Sequence, residues 1–135
     1  GFIEAVLRSG RTPVLFTSRG ELHFGSGEAA AELRLMFGMQ LARVMARLVA
    51  SLVPQLGYVI SKGGITTGTL LRDGFDLSSV DLEGQLLPGL SLVLAMVGAD
   101  HSAKFSAALP VVTFPGNLGD PETLKQAWLL MEYGV

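Results

Sequence analysis

An open, mostly parallel α/β sheet with helices on both faces, a Rossmann-like three-layer arrangement, is the fold this sequence predicts, on three observations. Short apolar β-rich runs alternate with helical patterns, the order that builds a sheet flanked by helices. Glycine-bearing loops follow several of those runs, at the strand ends where such sheets bind ligands. Third, 49% of residues are hydrophobic against 16% charged, with a mean hydropathy of +0.46. That balance excludes disorder and requires burial in a sheet covered on both faces or against a partner domain or second subunit. With 135 residues, the chain holds one domain.

Each element has its own local signal. Phe2 to Ser9 reads as the end of a helix stopped by Gly10, and Pro13 to Thr17 as a buried strand. A polar loop, Ser18 to Gly27, leads into the longest helix, about Glu28 to Leu52. Its apolar face carries Leu33, Met36, Phe37, Leu41, Val44, Met45, Leu48 and Leu52, and its solvated face Arg34, Arg43 and Arg47. Ser26 suits an N-cap and Glu28 the helix dipole. Pro54 and Gly57 end the helix. Tyr58 to Ser61 then reads as a second buried strand, followed by a short helix at about Thr66 to Asp73. Val80 to Leu87 alternates as a strand exposed on one face, Pro88-Gly89 is a turn, and Ser91 to Val97 is a further strand. Gly98 to Ala108 reads as a loop and Pro110 to Phe114 as a buried strand. Asp120-Pro121-Glu122 has the signature of a helix start, with Asp as N-cap and Pro at the first position; this last helix reaches about Tyr133.

Composition narrows the chemistry. The chain has no cysteine, which removes disulfides, thiolate catalysis and Cys-ligated metals and fits a reducing cytoplasm. The longest uncharged stretch, Gly84 to Ala99, is short of the ~20 apolar residues of a span, and no secretory signal opens the sequence, so no membrane partner is expected. Residues 1–67 carry seven basic and four acidic side chains, and residues 68–135 three and eight. Neither half clusters its lysines and arginines, so nucleic acid is not an expected partner. His23 and His101 show no metal-ligand spacing, and no metal site is predicted. Ser18 lacks a nucleophile elbow and reads as a hydrogen-bonding loop hydroxyl. Trp128, with Leu124, Leu129 and Met131, fits a core or interdomain contact.

Three strand ends lead into loops expected to converge on one rim: Thr17-Ser18-Arg19-Gly20, Lys62-Gly63-Gly64-Ile65-Thr66-Thr67 and Phe114-Pro115-Gly116-Asn117-Leu118-Gly119. At Gly63-Gly64, two residues without Cβ atoms sit at a helix N-terminus, where backbone amides can approach a phosphate. A tight strand-to-helix turn explains the same residues. The pattern is not a Walker A loop, since Lys62 precedes the glycines. Gly116 to Gly119 repeats the logic, with a loop and cap as its ordinary reading and Asp120 as the cap rather than a metal ligand.

Taken together, Thr17-Ser18-Arg19, Ser61-Lys62-Gly63-Gly64-Ile65-Thr66, Gly84-Gln85-Leu86-Leu87-Pro88-Gly89 and Phe114-Pro115-Gly116-Asn117-Leu118-Gly119-Asp120 resemble the C-terminal nucleotide-binding domain of the four-carbon acid sugar kinases, a family long labelled a domain of unknown function. The resemblance covers nearly the whole chain. It implies ATP, with Mg2+, against Gly63, Gly64, Ile65, Thr66 and Gly116, with Asn117, Gly119 and Ser18 as neighbours and no catalytic residue in this chain. The residues after Ile65-Thr66 depart from the family, with Thr67-Gly68-Thr69 where an Asp or other polar residue is usual.

On this resemblance residues 1–135 form a single nucleotide-binding domain lacking an upstream strand and an upstream substrate-binding domain. The implied function is the ATP-binding domain of a kinase acting on threonate, erythronate or oxo-tetronate, with the sugar acid held by the other domain. The isolated chain is expected to be inactive, and a homo-oligomer or interdomain contact is expected to cover its apolar surface. The alternative is a non-catalytic, truncated nucleotide- or anion-binding module acting in assembly. A small anion-binding hydrolase has only the loops in its favour.

Overall fold

The computed structural model describes residues 1–18, 22–98 and 106–134. Helix α1 is Phe2–Arg8 and ends at Ser9, ahead of Gly10 at φ +77°. The long helix α2 is Glu28–Leu52, followed by a 3-10 turn at Val53–Gln55. Strand β1 is Val59–Lys62. Helix α3, Gly64–Thr69, continues into a wide turn at Leu70–Gly74. Strands β2 (Asp81–Leu87) and β3 (Leu90–Val97) form a hairpin about Pro88-Gly89. Strand β4 is Ala107–Phe114 and helix α4 Thr123–Tyr133.

The sheet order is β1-β4-β3-β2. Among the described residues only β1 and β4 are parallel; β4 with β3 and β3 with β2 are antiparallel. The fold is thus an open α/β sheet, and the expectation of a mostly parallel one is corrected. The reason is local: a two-residue turn after β2 can join only antiparallel strands, and β3 carries that reversal to β4.

Helices cover both faces, as expected. Alternation along β4 sends Val111 to one side and Val112 to the other, both fully buried. Val111 joins Val93, Ala95 and Leu109 against Ala46, Val53, Leu70 and Phe75, the side of α2. Val112 joins Leu90 and Phe114 against Ala127 of α4.

Four further expectations change. Pro13 to Thr17 forms no strand; Val14 and Phe16 are exposed at 71% and 79%. A continuous apolar run carries no information about whether a sheet edge is in reach. Gly27, not Ser26, occupies the N-cap of α2, without a side-chain bond. Helix α4 starts at Thr123 rather than at Pro121. Asp120 still acts as a turn cap, its Oδ1 accepting from the Glu122 N–H at 2.9 Å and the Thr123 hydroxyl at 3.2 Å.

The fourth change concerns the face of α2. Its buried residues are Ala30, Ala42, Ala46 and Leu52, while Leu33, Met36, Phe37, Val44 and Leu48 are exposed. Small residues let α2 approach the turn at Leu70–Gly74, where a Cβ on Gly74 would lie 3.0 Å from the Ala46 carbonyl. The larger apolar side chains then point away from the sheet. Helix α2 with its following turn, Glu28–Gln55, is long and apolar enough by length and composition to cross a membrane; its Ala42, Ala46 and Leu52 are nevertheless buried within this domain. Of its arginines, Arg43 lies 3.6 Å from Asp73, an exposed pair of small energetic weight.

At the far end of β1, the Tyr58 hydroxyl donates to Glu132 and the Trp128 Nε1–H donates to Thr12 at 3.0 Å. Burial first, then the Glu132 carboxylate, raises the Tyr58 pKa above the usual phenol value. Trp128 thus serves as a contact within the domain, edge-on to Tyr133.

Candidate functional site

Parallel pairing of β1 with β4 sets the site. Lys62 is in register with Phe114, so the two strands end level and their following loops start side by side. The Gly63 N–H donates to the Phe114 carbonyl at 2.8 Å. A Cβ on Gly116 would lie 3.7 Å from the Gly63 Cα. At Gly63 and Gly116 the two glycine loops therefore approach through backbone, with no Cβ between them.

The hairpin adds a third loop. Because β3 is antiparallel to β4, with Ser91 opposite Thr113, the β2–β3 turn lies at the same rim. A Cβ on Gly89 would come within 2.8 Å of Leu118 Cδ2, which is how closely that turn meets the second glycine loop. Three of the four sequence motifs are thereby brought to one rim by topology.

Within the first loop, Gly63 has φ +106° and ψ 135°, a conformation that side chains rarely adopt. Gly64 has no positive φ, and a Cβ there would meet nothing within 4 Å. The Thr67 N–H donates to the Gly63 carbonyl at 2.9 Å, making the first bond of α3. The amides of Gly64, Ile65 and Thr66 precede it and lack intrahelical acceptors. Thr67 itself is buried; its hydroxyl bonds Ser61 Oγ at 2.9 Å and lies 3.2 Å from the Ser61 carbonyl. That pair fixes the loop from beneath, which gives Thr67 a structural role. Thr66 Oγ1 lies 3.5 Å from the Gly63 Cβ position, and Ile65 is 61% exposed.

In the second loop Gly116, Asn117 and Gly119 are exposed. Gly119 has φ +85° and packs against Thr123, whose Oγ1 a Cβ would meet at 2.5 Å. This glycine is thus required by the turn. Ser18 is exposed in a segment without regular secondary structure, and among the described residues none of the contacts joining the loops reaches it. Arg19 and Gly20 of the same motif, and His101, lie outside the described residues. His23 is exposed.

Lys62, whose position rules it out as a P-loop lysine, has a place at the rim that its sequence context does not assign. Its Nζ donates to the Gly116 carbonyl at 2.9 Å and the Pro115 carbonyl at 3.3 Å, and it sits 4.3 Å from the centroid of the Phe114 ring. The sequence places Lys62 just after the run Tyr58 to Ser61, whereas β1 extends through it; the register that sets Phe114 and its loop beside it has no local signal.

The profile of the nucleotide-binding C-terminal domain family matches residues 1–124. The chain belongs to this family. Membership agrees with the resemblance carried by the motifs, the C-terminal nucleotide-binding domain of the four-carbon acid sugar kinases. Two crystal forms of a Bordetella bronchiseptica protein, a domain of unknown function (DUF1537) with bound citrate and a domain-swapped dimer, are similar in structure. One has a TM-score of 0.65 at 22% identity, covering 96% of this chain and 29% of that one. The other has a TM-score of 0.54 at 25% identity, covering 67% and 22%. The chain thus spans less than a third of that protein's length. No curated protein matches. In this nucleotide-binding family, the rim built from Gly63, Gly64 and Gly116 is the candidate site.

Proposed function

We propose that this domain binds ATP at the shared rim of β1 and β4, as the nucleotide half of a kinase for four-carbon sugar acids such as threonate, erythronate or oxo-tetronate. The observation that carries it is the level ending of two parallel strands in two touching glycine loops. The residues fit a polyphosphate. Gly63 and Gly116 meet with no Cβ between them, the space beside Gly64 is open, and free amides at the start of α3 can donate to phosphate oxygens. Exposed Ile65 offers an apolar surface in the first loop.

When bound, Mg-ATP supplies the transferable phosphoryl group. Among the described residues no group of three His, Cys, Asp or Glu could hold a metal. This chain's part is to bind and orient the nucleotide, since phosphoryl transfer depends chiefly on positioning and charge neutralisation. A second domain would hold the sugar acid and its base, and the isolated chain would not phosphorylate it. The cytoplasm is the proposed compartment, where ATP is present and a cysteine-free chain asks for no oxidation.

ATP binding only to the folded state at 100 times Kd adds about 2.7 kcal/mol, raising Tm by roughly 6–12 °C for a domain of this size. A thermal scan with ATP and magnesium should show it. No shift at millimolar nucleotide overturns the reading.

The exposed apolar side of α2 favours a second reading, assembly, and the two are compatible. We propose that a second copy of the chain covers Leu33, Met36, Phe37 and Val44, an expanse beyond what isolated surface residues need explained; the Bordetella protein is itself a dimer. Sedimentation of the chain should give a dimer at tens of micromolar, and Met36→Glu combined with Phe37→Glu a folded monomer. A monomeric unsubstituted chain counts against assembly.

A further inference from the structure

Lys62 is an exposed lysine at the rim, yet its side chain is folded back onto its neighbours. Holding so flexible a chain in one geometry costs conformational entropy. Among the described residues its partners are neutral: the carbonyls of Pro115 and Gly116 and the face of Phe114. No carboxylate among the described residues forms an ion pair with it. Two carbonyl oxygens bordering a phosphate site would present negative dipole ends to a polyanion. An ammonium between them reverses the local sign and leaves one of its three N–H groups available.

We infer that Lys62 is a positioning residue for the phosphate chain: it clasps the second glycine loop to the end of β1 and masks the Pro115 and Gly116 carbonyls from the nucleotide. The inference rests on the proposed nucleotide site and assigns the group that makes its rim tolerate negative charge. Because Lys62 holds neutral acceptors, its removal leaves no buried charge behind. Its effect should therefore fall on phosphate binding rather than on folding.

The test is calorimetric titration of the 135-residue chain with ATP, AMP and adenosine, for the unsubstituted protein and for Lys62→Met, Lys62→Gln and Lys62→Arg, each with a urea midpoint. Loss of charge-assisted hydrogen bonds predicts an ATP affinity about 10- to 100-fold weaker for the Met and Gln variants. Adenosine affinity and the midpoint should hardly change, AMP should fall between, and Arg should restore most of the ATP affinity. Equal weakening of ATP and adenosine, or an unchanged ATP affinity, overturns the clasp while leaving the nucleotide site standing. Failure of the unsubstituted chain to bind any of the three ligands overturns the site itself, and the clasp with it.

Discussion

Phe114→Ala should lower the stability of the chain by about 3–5 kcal/mol, the range for truncating a buried aromatic ring. Phe114 is 2% exposed and packs with Leu90, Val112 and Ala127 beneath α4. No small residue can refill that volume, because β4 is held between two strands and cannot shift toward the gap. The same residue ends the strand from which the second glycine loop departs. Its carbonyl receives the Gly63 N–H, and its ring supports the Lys62 ammonium. Nucleotide affinity should therefore fall along with the urea midpoint, even at temperatures where the variant is fully folded. Phe114→Leu, which retains most of the volume, should recover the larger part of the stability while losing the cation–π contact. A loss below about 1 kcal/mol for the alanine variant would show that the ring is not the anchor of this face.

What the sequence made legible were features whose signals are local. Helix α2 was bounded by Glu28 at one end and by Pro54 and Gly57 at the other, and the structure keeps Glu28–Leu52. The hairpin was written in the Pro88-Gly89 turn between two β-rich runs. Pairing was less legible, because it depends on partners distant in the chain. Pro13 to Thr17 has the composition of a core strand, yet Val14, Leu15 and Phe16 lie exposed, while the sheet, expected to be mostly parallel, pairs in parallel at β1 with β4 and antiparallel at the other described pairs. The orientation of α2 was misjudged for a related reason. Hydrophobic periodicity marks where large apolar side chains gather, but close approach selected the alanines for the core. At the site, Gly63, Gly64 and Gly116 were legible as glycines after strands; their contact was not, since it follows from the register of Lys62 with Phe114.

The adjacent glycines of the first loop should respond in opposite ways to the same substitution. Gly63→Val forces a β-branched side chain into φ +106°, a strain of roughly 1–3 kcal/mol, and should lower the urea midpoint accordingly. Gly64→Val meets neither obstacle, since its Cβ would enter open space and valine is a somewhat better helix residue than glycine. Its midpoint should be unchanged or slightly higher. If phosphate oxygens come within hydrogen-bonding distance of the α3 amides, however, the new methyl groups occupy their path. Loss of two charge-assisted bonds then weakens ATP about 100-fold or more. Gly116→Val, whose Cβ has only an ordinary 3.7 Å contact with Gly63, should behave like Gly64→Val. The measurements are the urea midpoint and ATP affinity of all three variants. Should Gly64→Val and Gly116→Val bind ATP as tightly as the unsubstituted chain, the open space beside these glycines is not where the phosphates lie, and both loops are turns and nothing more.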